Sequence, residues 1–335
     1  MARRRVTLLD VAQRAGVSRT TASFVLTGRQ DMRISEPVKE RVLRVAQELE
    51  YRPNLAARSL RTRSTQTIGL ISDTIATEQF AGEMISGALA AAAKHGFLLV
   101  VGESEDNPEV EASLITGMLD RGVDGLIYGT MFTRQAEVPD SAGQSPLVLL
   151  NCLATPLPAP AVIPDEHEAG RTAARALVEA GHRDGIWLVG ERPAKLFAAR
   201  ERSRGIRAEL AASGAAVAGT VDCGWSPWLA YDAMSALLRR GERPAACICM
   251  NDRTAMGVYQ AVQEAGLDIP GEVSVVSFDD SDLASWLRPQ LTSVALPHYG
   301  MGFRAMELLV TAELRARRHR IPMPLQARSS IGPPR

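Results

Sequence analysis

The sequence lacks the features that mark membrane and secreted proteins. No run approaches the roughly 18 uninterrupted apolar residues of a membrane-spanning helix. The basic start, Met1 to Arg5, is followed by the polar residues Asp10, Gln13 and Arg14 where a secretion signal needs an apolar segment. The four cysteines in 335 residues show no framework spacing, which is typical of reduced thiols. We therefore expect a soluble, cytoplasmic protein that does not bind membranes.

The motifs of common enzyme classes are also missing. There is no G-x-G-x-x-G turn after the first predicted strand, no G-x-x-x-x-G-K-[ST] loop and no G-x-S-x-G elbow. The run Asp165-Glu166-His167 contains metal-ligand residue types, but adjacent residues at a helix start point in different directions. Cys247 and Cys249 lie in an apolar strand, where packing is the expected role. We expect no enzymatic activity, no cofactor and no metal site.

The formal net charge is zero, with 38 basic and 38 acidic residues, but the charges are unevenly distributed. Residues 1–63 contain fourteen Lys and Arg against six Asp and Glu, so the remainder carries the opposite excess of acid. A basic head on an acidic body indicates that the head binds a polyanion and the body does not.

The basic head begins with a pattern of two short helices around a glycine. Thr7 and Asp10 have capping-box spacing. Gly16 suits a tight turn, and Ser18 suits the N-cap of a second helix. Arg19 and the following Thr20 then point outward from its first turn, where an arginine can bond both O6 and N7 of a guanine. The pattern predicts a helix-turn-helix that reads the major groove.

A third helix and a linker complete the head. Ser35 begins a helix whose apolar residues repeat at intervals of three and four, so residues 1–52 form a small all-α domain. Residues 53–65 have helical composition but too little apolar surface to fold alone. We expect this segment to be a hinge that becomes helical when a partner orders it.

From Gln66 onward, apolar strands alternate with amphipathic helices. Two sets of strands are predicted, at 67–72, 97–102, 125–128 and 147–151, and then at 185–190, 217–222, 245–250 and 273–278. Buried strands alternating with helices indicate parallel sheets covered on both faces. Two sets therefore predict two sheets with a cleft between them. Ligands of such sheets bind at the carboxyl ends of the strands.

Several motifs, in this order and spacing, resemble the LacI/GalR family of bacterial transcriptional regulators over nearly the whole chain. They are T-L-L-D-V-A-Q-R-A-G-V-S-R-T-T-A-S-F-V-L near the start, Y-R-P-N-L-A-A-R-S-L in the linker, I-G-L at 68–70, M-N-D at 250–252 and S-V-V-S-F-D-D at 274–280. The resemblance implies a homodimer and favours a repressor. It also implies that the two heads of the dimer bind a pseudo-palindromic DNA operator together. It also implies a periplasmic-binding-protein-like effector-binding and dimerisation domain over 66–335. One subdomain is expected at about 66–164 plus 297–323, and the other at about 165–296 plus 324–335.

The resemblance also assigns residues of the DNA interface. Arg19 and Thr20 fall at base-reading positions, and Leu60 falls where the family inserts a hinge leucine into the minor groove, a wedge that favours bent DNA. Arg58 and Arg61 flank this leucine. The remaining expected DNA-binding residues are Thr7, Ser18, Thr21, Ser23, Phe24, Arg29, Arg33, Asn54 and Ala57.

For the effector cleft, the resemblance assigns Arg202 as a clamp for ligand hydroxyls or a carboxylate and Trp225 as a stacking ring. Asn251 and Asp279 follow strands and match polar anchors. The other expected effector-binding residues are Asp73, Phe80, Tyr128, Asp165 and His298. An arginine, carboxylates, an amide and an aromatic face suit a ligand with paired hydroxyls on a partly apolar ring. The expected effector is therefore a saccharide.

Departures from the family and other interpretations stay open at this point. Phe24 replaces a frequent arginine or histidine, which suggests contact with a thymine methyl group. The loop 27–34 is longer than usual, and Leu296 and His298 replace common cleft residues. Leu60 as an anchor on the body, and Arg202 as a solvated helix charge, are the simpler alternatives. A solute-binding protein without a regulatory role would fit the body but not the basic head.

Overall fold

The computed structural model describes residues 6–26, 34–51, 64–74, 81–191 and 196–335. The chain divides into two compact units, with the boundary after Thr65. Some of the expected site residues lie outside the described residues, and their roles stay predictions. They are Arg29, Arg33, Asn54, Ala57, Arg58, Leu60, Arg61 and Phe80.

The first unit contains the three predicted helices, α1 (Leu8–Ala15), α2 (Arg19–Leu26) and α3 (Glu36–Glu48). The Thr7 side chain caps α1, and the Asp10 carboxylate accepts a hydrogen bond from the Thr7 amide at 2.8 Å. Gly16 has φ +64°, so the turn that follows uses a conformation that favours glycine. Ser18 Oγ then accepts a hydrogen bond from the Thr21 amide at 3.0 Å and begins α2.

One small apolar cluster holds these three helices together. Its buried members come from all three helices: Val11, Ala12, Ala15, Ala22, Val42, Val45 and Ala46. Arg41 of α3 also donates a hydrogen bond to the carbonyl oxygen of Ala15 at 2.9 Å, which satisfies a group at the carboxyl end of α1. The outward side of the first turn of α2 is consequently left exposed.

The second unit begins with a parallel six-stranded sheet whose strand order is β11-β5-β4-β3-β1-β2, in which the edge strand β11 (Arg318–Ile321) comes from near the end of the chain. The elements of its first pass are β1 (Thr67–Ser72), α4 (Ala81–His95), β2 (Leu98–Glu103), α5 (Pro108–Asp120), β3 (Gly125–Gln135), a 3₁₀ helix (Asp140–Gln144), β4 (Leu147–Leu153) and β5 (Ala161–Pro164). Every residue of β4 and β5 is buried, because helices cover both faces of the sheet.

A second six-stranded sheet has the order β12-β10-β9-β8-β6-β7, with only its edge strand β12 antiparallel. Its elements are α6 (Glu166–Glu179), β6 (Ile186–Val189), α7 (Phe197–Ala212), β7 (Val217–Val221), α8 (Pro227–Arg239), β8 (Ala246–Cys249), α9 (Asp252–Glu264), β9 (Ser274–Asp279), α10 (Asp282–Trp286) and β10 (Thr292–Ala295). The chain then returns to the first sheet through α11 (His298–Val310) and β11 (Arg318–Ile321), and ends its last strand, β12 (Leu325–Gln326), in the second.

The chain therefore passes between the two sheets three times, after β5, after β10 and after β11. We call the two halves the first and second lobes, each named for its sheet. These crossings bring the carboxyl ends of β4, β5, β8, β9 and β10 towards one region between the lobes. The sequence pattern predicts neither β10 to β12 nor α11, and β3 extends seven residues beyond its predicted end at residue 128.

Helices α6 and α7 of the second lobe approach each other closely through two glycines. A β-carbon at Gly205 would lie 1.9 Å from the carbonyl oxygen of His167, and one at Gly170 would lie 2.2 Å from that of Arg202. Only glycine fits where two helix backbones are this close. The contact places the first turn of α6, which contains Glu166, against the middle of α7, which contains Arg202.

Replacing Gly205 by alanine should therefore lower the free energy of unfolding by about 1–3 kcal/mol or more, because the helices must separate to admit the methyl group. Chemical denaturation of the two proteins measures this difference. Gly82→Ala is the matched control, since no atom of the described residues outside its own helix lies within 4 Å of a β-carbon at Gly82. That helical substitution should raise stability by up to about 1 kcal/mol. Equal stability of Gly205→Ala and the parent would contradict the close helix crossing.

Candidate functional site

A cavity of about 220 Å³ lies between the two lobes at the carboxyl ends of their strands. This is the position at which open parallel sheets bind ligands. Its lining residues are Met131, Phe132, Thr133, Asn151, Pro164, Glu166, Leu196, Ala198, Arg202, Trp225, Asn251, Arg253, Asp279, Leu296, His298 and Met301. The lining is mostly apolar with a few convergent polar groups, as is usual for a small-molecule site.

Arg202 is the central charged residue of this cavity, and it is 1% exposed. Its Nε donates to Glu166 Oε2 at 2.6 Å and its Nη2 donates to Glu166 Oε1 at 3.1 Å. Its Nη1 donates to the carbonyl oxygen of Met250 at 2.5 Å and lies 3.8 Å from Asp279 Oδ1. Burial lowers the pKa of Arg202, but Glu166 and Asp279 outweigh this effect and leave the pKa raised. The guanidinium is therefore charged and held in a fixed orientation.

Two aromatic rings cover the faces of this guanidinium. Its central carbon lies 4.5 Å from the ring centre of Phe278 and 5.5 Å from that of Trp225. Trp225 is half-buried, and its indole N–H donates to the carbonyl oxygen of Gly190 at 3.0 Å. The ring of Trp225 is thereby fixed with part of its surface on the cavity wall.

Asn251 begins α9 as its N-cap. Its Oδ1 accepts hydrogen bonds from the Thr254 amide at 2.8 Å and from the Thr254 hydroxyl at 2.6 Å. Asn251 lines the cavity, and its Nδ2 makes no hydrogen bond to the part of the chain that the structure describes. A fixed amide with its two N–H groups available can donate to a ligand oxygen.

The turn that carries Asp279 is supported by the buried carboxylate of Asp252. Asp252 accepts hydrogen bonds from the hydroxyls of Ser277, Ser281 and Ser293, and from the Ser281 amide at 2.7 Å. Asp279 has φ +107°, a conformation that side-chain-bearing residues rarely adopt. Burial raises the pKa of Asp279, while the adjacent Arg202 lowers it, and the net shift is upward.

The wall contributed by the first lobe is an irregular part of β3. The pairing of β3 with β4 shifts register between Gly129 and Arg134. Asn151, with φ +58°, holds this bulge: its Nδ2 donates to the carbonyl oxygen of Met131 at 2.7 Å and its Oδ1 accepts from Thr133 Oγ1 at 2.5 Å. The bulge brings Phe132, which is 60% exposed, to the cavity.

His298 opens α11 and is 4% exposed. Burial, and then the positive charge of Arg202, lower the pKa of His298 from 6.5 to about 4. The imidazole is therefore neutral at pH 7, with one nitrogen that donates and one that accepts.

The structure brings five of the nine predicted effector residues to this cavity, Arg202, Trp225, Asn251, Asp279 and His298. It places three others elsewhere. The side chain of Tyr128 packs in the first lobe, on the face of the sheet opposite the cavity wall. Its hydroxyl donates a hydrogen bond to Glu111 of α5 at 2.9 Å. Asp165 is the N-cap of α6 and accepts a bond from the Glu168 amide.

Asp73 is the third predicted residue that lies off the cavity wall, and its role is indirect. Its Oδ1 accepts from the Met131 amide at 2.8 Å, and its Oδ2 accepts from Arg134 at 3.0 Å. Asp73 therefore anchors both ends of the bulge that carries Phe132 instead of lining the cavity.

Sequence reasoning missed seven lining residues with polar or aromatic side chains or a flexible thioether, which are Met131, Phe132, Thr133, Asn151, Glu166, Arg253 and Met301. Asn151 lies at the end of a predicted strand, so the carboxyl-end rule identifies it. Glu166 is adjacent to the chosen Asp165. The bulge at 131–133 has no such signal in the sequence.

On the head, Arg19 and Thr20 are exposed in the first turn of α2, as the sequence predicts. The hydroxyls of Thr7 and Ser18 serve as helix caps, and Ser18 Oγ also lies 2.8 Å from Thr21 Oγ1. Thr21, Ser23 and Phe24 are half-buried on α2. Their contacts with DNA stay predictions. Among the described helices, none has the length and apolar character needed to cross a membrane.

A helix-turn-helix head followed by a two-lobed α/β domain with a cavity between the lobes defines a class of ligand-responsive DNA-binding proteins. A family model described as "Bacterial regulatory proteins, lacI family" matches residues 7–54, and one described as "Periplasmic binding proteins and sugar binding domain of LacI family" matches residues 65–329. The chain belongs to the LacI family of bacterial regulatory proteins. It is a DNA-binding transcriptional regulator with an effector-binding domain, and the predicted fold class and function are confirmed.

Individual relatives agree with this assignment. The chain is 30% identical over 311 residues to a ribose operon repressor of Haemophilus influenzae, covering 91% of both chains. It superposes on the Lac repressor dimer bound to operator and an anti-inducer with a TM-score of 0.75 at 24% identity, covering 98% of this chain and all of that one. The complex of the regulator CelR with cellobiose gives 0.63 at 27% identity, covering 97% and 100%. The curated relative is named as a regulator of transcription, not as an enzyme.

The neutral state of His298 predicts a pH dependence of stability. Between its ordinary pKa of 6.5 and its folded pKa of about 4, the unfolded chain binds a proton that the folded chain does not. As pH falls through this window, the free energy of unfolding should drop by up to about 3 kcal/mol on this account. Urea denaturation from pH 7 to pH 4 measures it. His298→Gln should lose less stability than the parent, and parallel profiles for the two proteins would refute the depressed pKa.

Proposed function

We propose that this regulator is a homodimeric repressor whose affinity for a pseudo-palindromic operator is controlled by a saccharide bound between its lobes. The observation that carries the proposal is the cavity itself. A half-exposed ring of Trp225, the free amide N–H groups of Asn251 and the carboxyl group of Asp279 line one space of about 220 Å³. Sugars present an apolar ring face and paired hydroxyls, and this set of groups is complementary to both.

The relatives favour the same ligand class. The two lobes match a family model described as including the sugar-binding domain of the LacI family. One relative is named as a ribose operon repressor, and one structural neighbour is a complex with cellobiose. Phe132 from the first lobe and Trp225 from the second add aromatic surface from both sides of the cavity. A sugar that contacts both lobes would favour their closure, because closure lets it bind all of these groups at once.

The DNA-binding part of the proposal rests on the head. Arg19 and Thr20 project from the start of α2 into solvent, and the small core beneath them fixes the helix. Phosphate contacts from the basic head should give most of the affinity, while Arg19 and Thr20 give base specificity. We assign Phe24 to an apolar contact near the bases. These contacts would place each head on one half of the operator.

Exposed apolar side chains support the homodimer. Strand β2 lies at the edge of the first sheet and exposes Leu98 at 61%, Val100 at 40% and Val101 at 40%. In the second lobe, Trp228 and Trp286 are each 68% exposed. Apolar surface of this kind, contributed by both lobes, is typical of an interface between subunits. A second copy of the chain would cover it.

Effector control follows from the connection between the lobes and the head. The hinge segment enters the first lobe directly at β1, and the effector contacts both lobes. Lobe closure in two paired subunits would move the two first lobes and thus the two hinge segments, which favours or disfavours their pairing on DNA. Operator affinity measured with and without the effector gives the sign of this coupling.

The first test is a sugar screen on the full-length protein by thermal shift, followed by operator binding with and without each stabilising sugar. We expect at least one neutral sugar to raise the melting temperature and to change operator affinity. Trp225→Leu should reduce that stabilisation by about 1–2 kcal/mol, because it removes an aromatic contact with the ring. Tyr299→Leu is the matched control and should leave the response unchanged, because Tyr299 is an exposed aromatic residue of α11 that does not line the cavity. Absence of any shift across the panel would refute a saccharide effector.

A second test examines base recognition by selection of DNA sites from a random pool. The parent should select a pseudo-palindrome, and Arg19→Ala should lose about 1–3 kcal/mol of affinity and relax preference at one base position in each half-site. Arg44→Ala removes the same charge from an exposed position of α3 and should keep the preference. A single unrepeated half-site would argue against the homodimer, and an unchanged preference in Arg19→Ala would remove its base-reading role.

A third test concerns Leu60 of the hinge segment, which we assign to the minor groove at the operator centre. Leu60→Ala should weaken binding and reduce the bend of the selected operator, because unstacking by an apolar wedge accompanies such kinks. Gel mobility of circularly permuted DNA fragments measures the bend. Equal bending by the parent and Leu60→Ala would exclude the wedge.

A further inference from the structure

The positive charge of Arg202 is already paired before any ligand binds. Glu166, itself 3% exposed, accepts two of its N–H groups in a bidentate arrangement, and the Met250 carbonyl accepts a third. The rings of Phe278 and Trp225 lie over the guanidinium. An anionic ligand group would therefore have to displace Glu166 to form a comparable pair, and would leave that carboxylate buried without a partner.

Among the described residues, the other buried groups of the wall offer no uncompensated positive charge. Asp279 adds a second carboxyl group 3.8 Å from the same guanidinium. His298 is a neutral imidazole, because burial and Arg202 hold its pKa at about 4. The buried ionisable groups of the described wall are thus one guanidinium, two carboxyl groups and one neutral imidazole.

One further cation, Arg253, lines the cavity, but it is exposed and therefore hydrated. It also acts on Asp279, whose pKa it lowers. Solvent therefore screens its charge. With Arg253 counted, the described residues of the lining include two basic and two acidic side chains.

We propose that this cavity selects an electrically neutral ligand, and that Glu166 is the residue that sets this preference by compensating Arg202. The inference rests on the proposed effector role of the cavity and narrows it: the uncharged form of a sugar binds, and its phosphorylated or carboxylated form is rejected. A ligand charge buried without a counter-charge loses its hydration and gains no pairing in return. Glu166 acts on specificity through Arg202 and is a positioning residue as well as a lining one.

The direct test compares ligands that differ only in charge, on the full-length protein, by thermal shift and calorimetry. Suitable sets are glucose with glucose 6-phosphate and glucuronate, ribose with ribose 5-phosphate, and cellobiose with its 6-phosphate. For any set that binds, the neutral member should bind roughly tenfold tighter or more. A charged member that binds as tightly as its neutral counterpart would overturn the proposal, and so would a sugar phosphate whose binding is lost in Arg253→Gln.

The variant Glu166→Gln tests the assigned residue. Removing the compensating carboxylate should shrink the preference for the neutral member by roughly tenfold, because Arg202 then has an unpaired charge. Glu168→Gln, two residues along α6 and outside the cavity, is the matched control and should keep the parental preference. A folded Glu166→Gln protein with an unchanged preference would overturn the role of Glu166.

A measurement without any sugar separates this inference from the saccharide proposal. The measurement uses the double variant Trp228→Phe, Trp286→Phe, and the fluorescence of Trp225 is obtained by subtracting the signal of Trp225→Phe in the same background. Neutral acrylamide should quench this fluorescence, and iodide should quench it several times less. Glu166→Gln should raise the iodide quenching. If no sugar binds but this discrimination holds, the saccharide effector fails and the selection of neutral ligands stands. Equal quenching by iodide and acrylamide would overturn the selection whichever sugar binds.

Discussion

The effector domain depends on one buried ion pair, Arg202 with Glu166, at the crossing of α6 and α7. Isolated, either charge would be costly to bury, and breaking such a pair costs about 3–5 kcal/mol. The pair forms because Gly170 and Gly205 let the two helix backbones approach, which places the first turn of one helix beside the middle of the other. Phe278, Met250 and Asp279 are then arranged around the guanidinium, so the cavity wall is assembled about this contact.

Much of the fold is readable in the sequence because its elements are long, apolar and periodic. The caps at Thr7 and Ser18, the turn at Gly16 and strand β1 all lie where the pattern predicts them. The short strands β10 to β12 contain two to four residues each, and at least half of the residues in each strand are polar, so they form no apolar run. The helix α11 returns to a lobe that the chain left more than a hundred residues earlier, and local patterns do not contain that information.

The site is less predictable than the fold, for reasons visible at single residues. A strand buried on both faces has no polar alternation, so the sequence does not reveal that Tyr128 points away from the cavity wall. At a helix start, a shift of one residue turns the side chain by about 100°, which separates Asp165, the cap, from Glu166, the lining residue. The bulge that presents Phe132 depends on the Met131 amide donating to Asp73 and on Asn151 donating to the Met131 carbonyl oxygen, and these partners are distant in sequence.

The three passages between the lobes also determine when each lobe can be completed during synthesis. The first sheet lacks its edge strand β11, and α4 lacks its packing partner α11, until residues near 320 have been made. The second sheet likewise waits for β12. The head, by contrast, has its whole apolar core within residues 6–51. A nascent chain would thus carry a folded head well before it carries a finished effector domain.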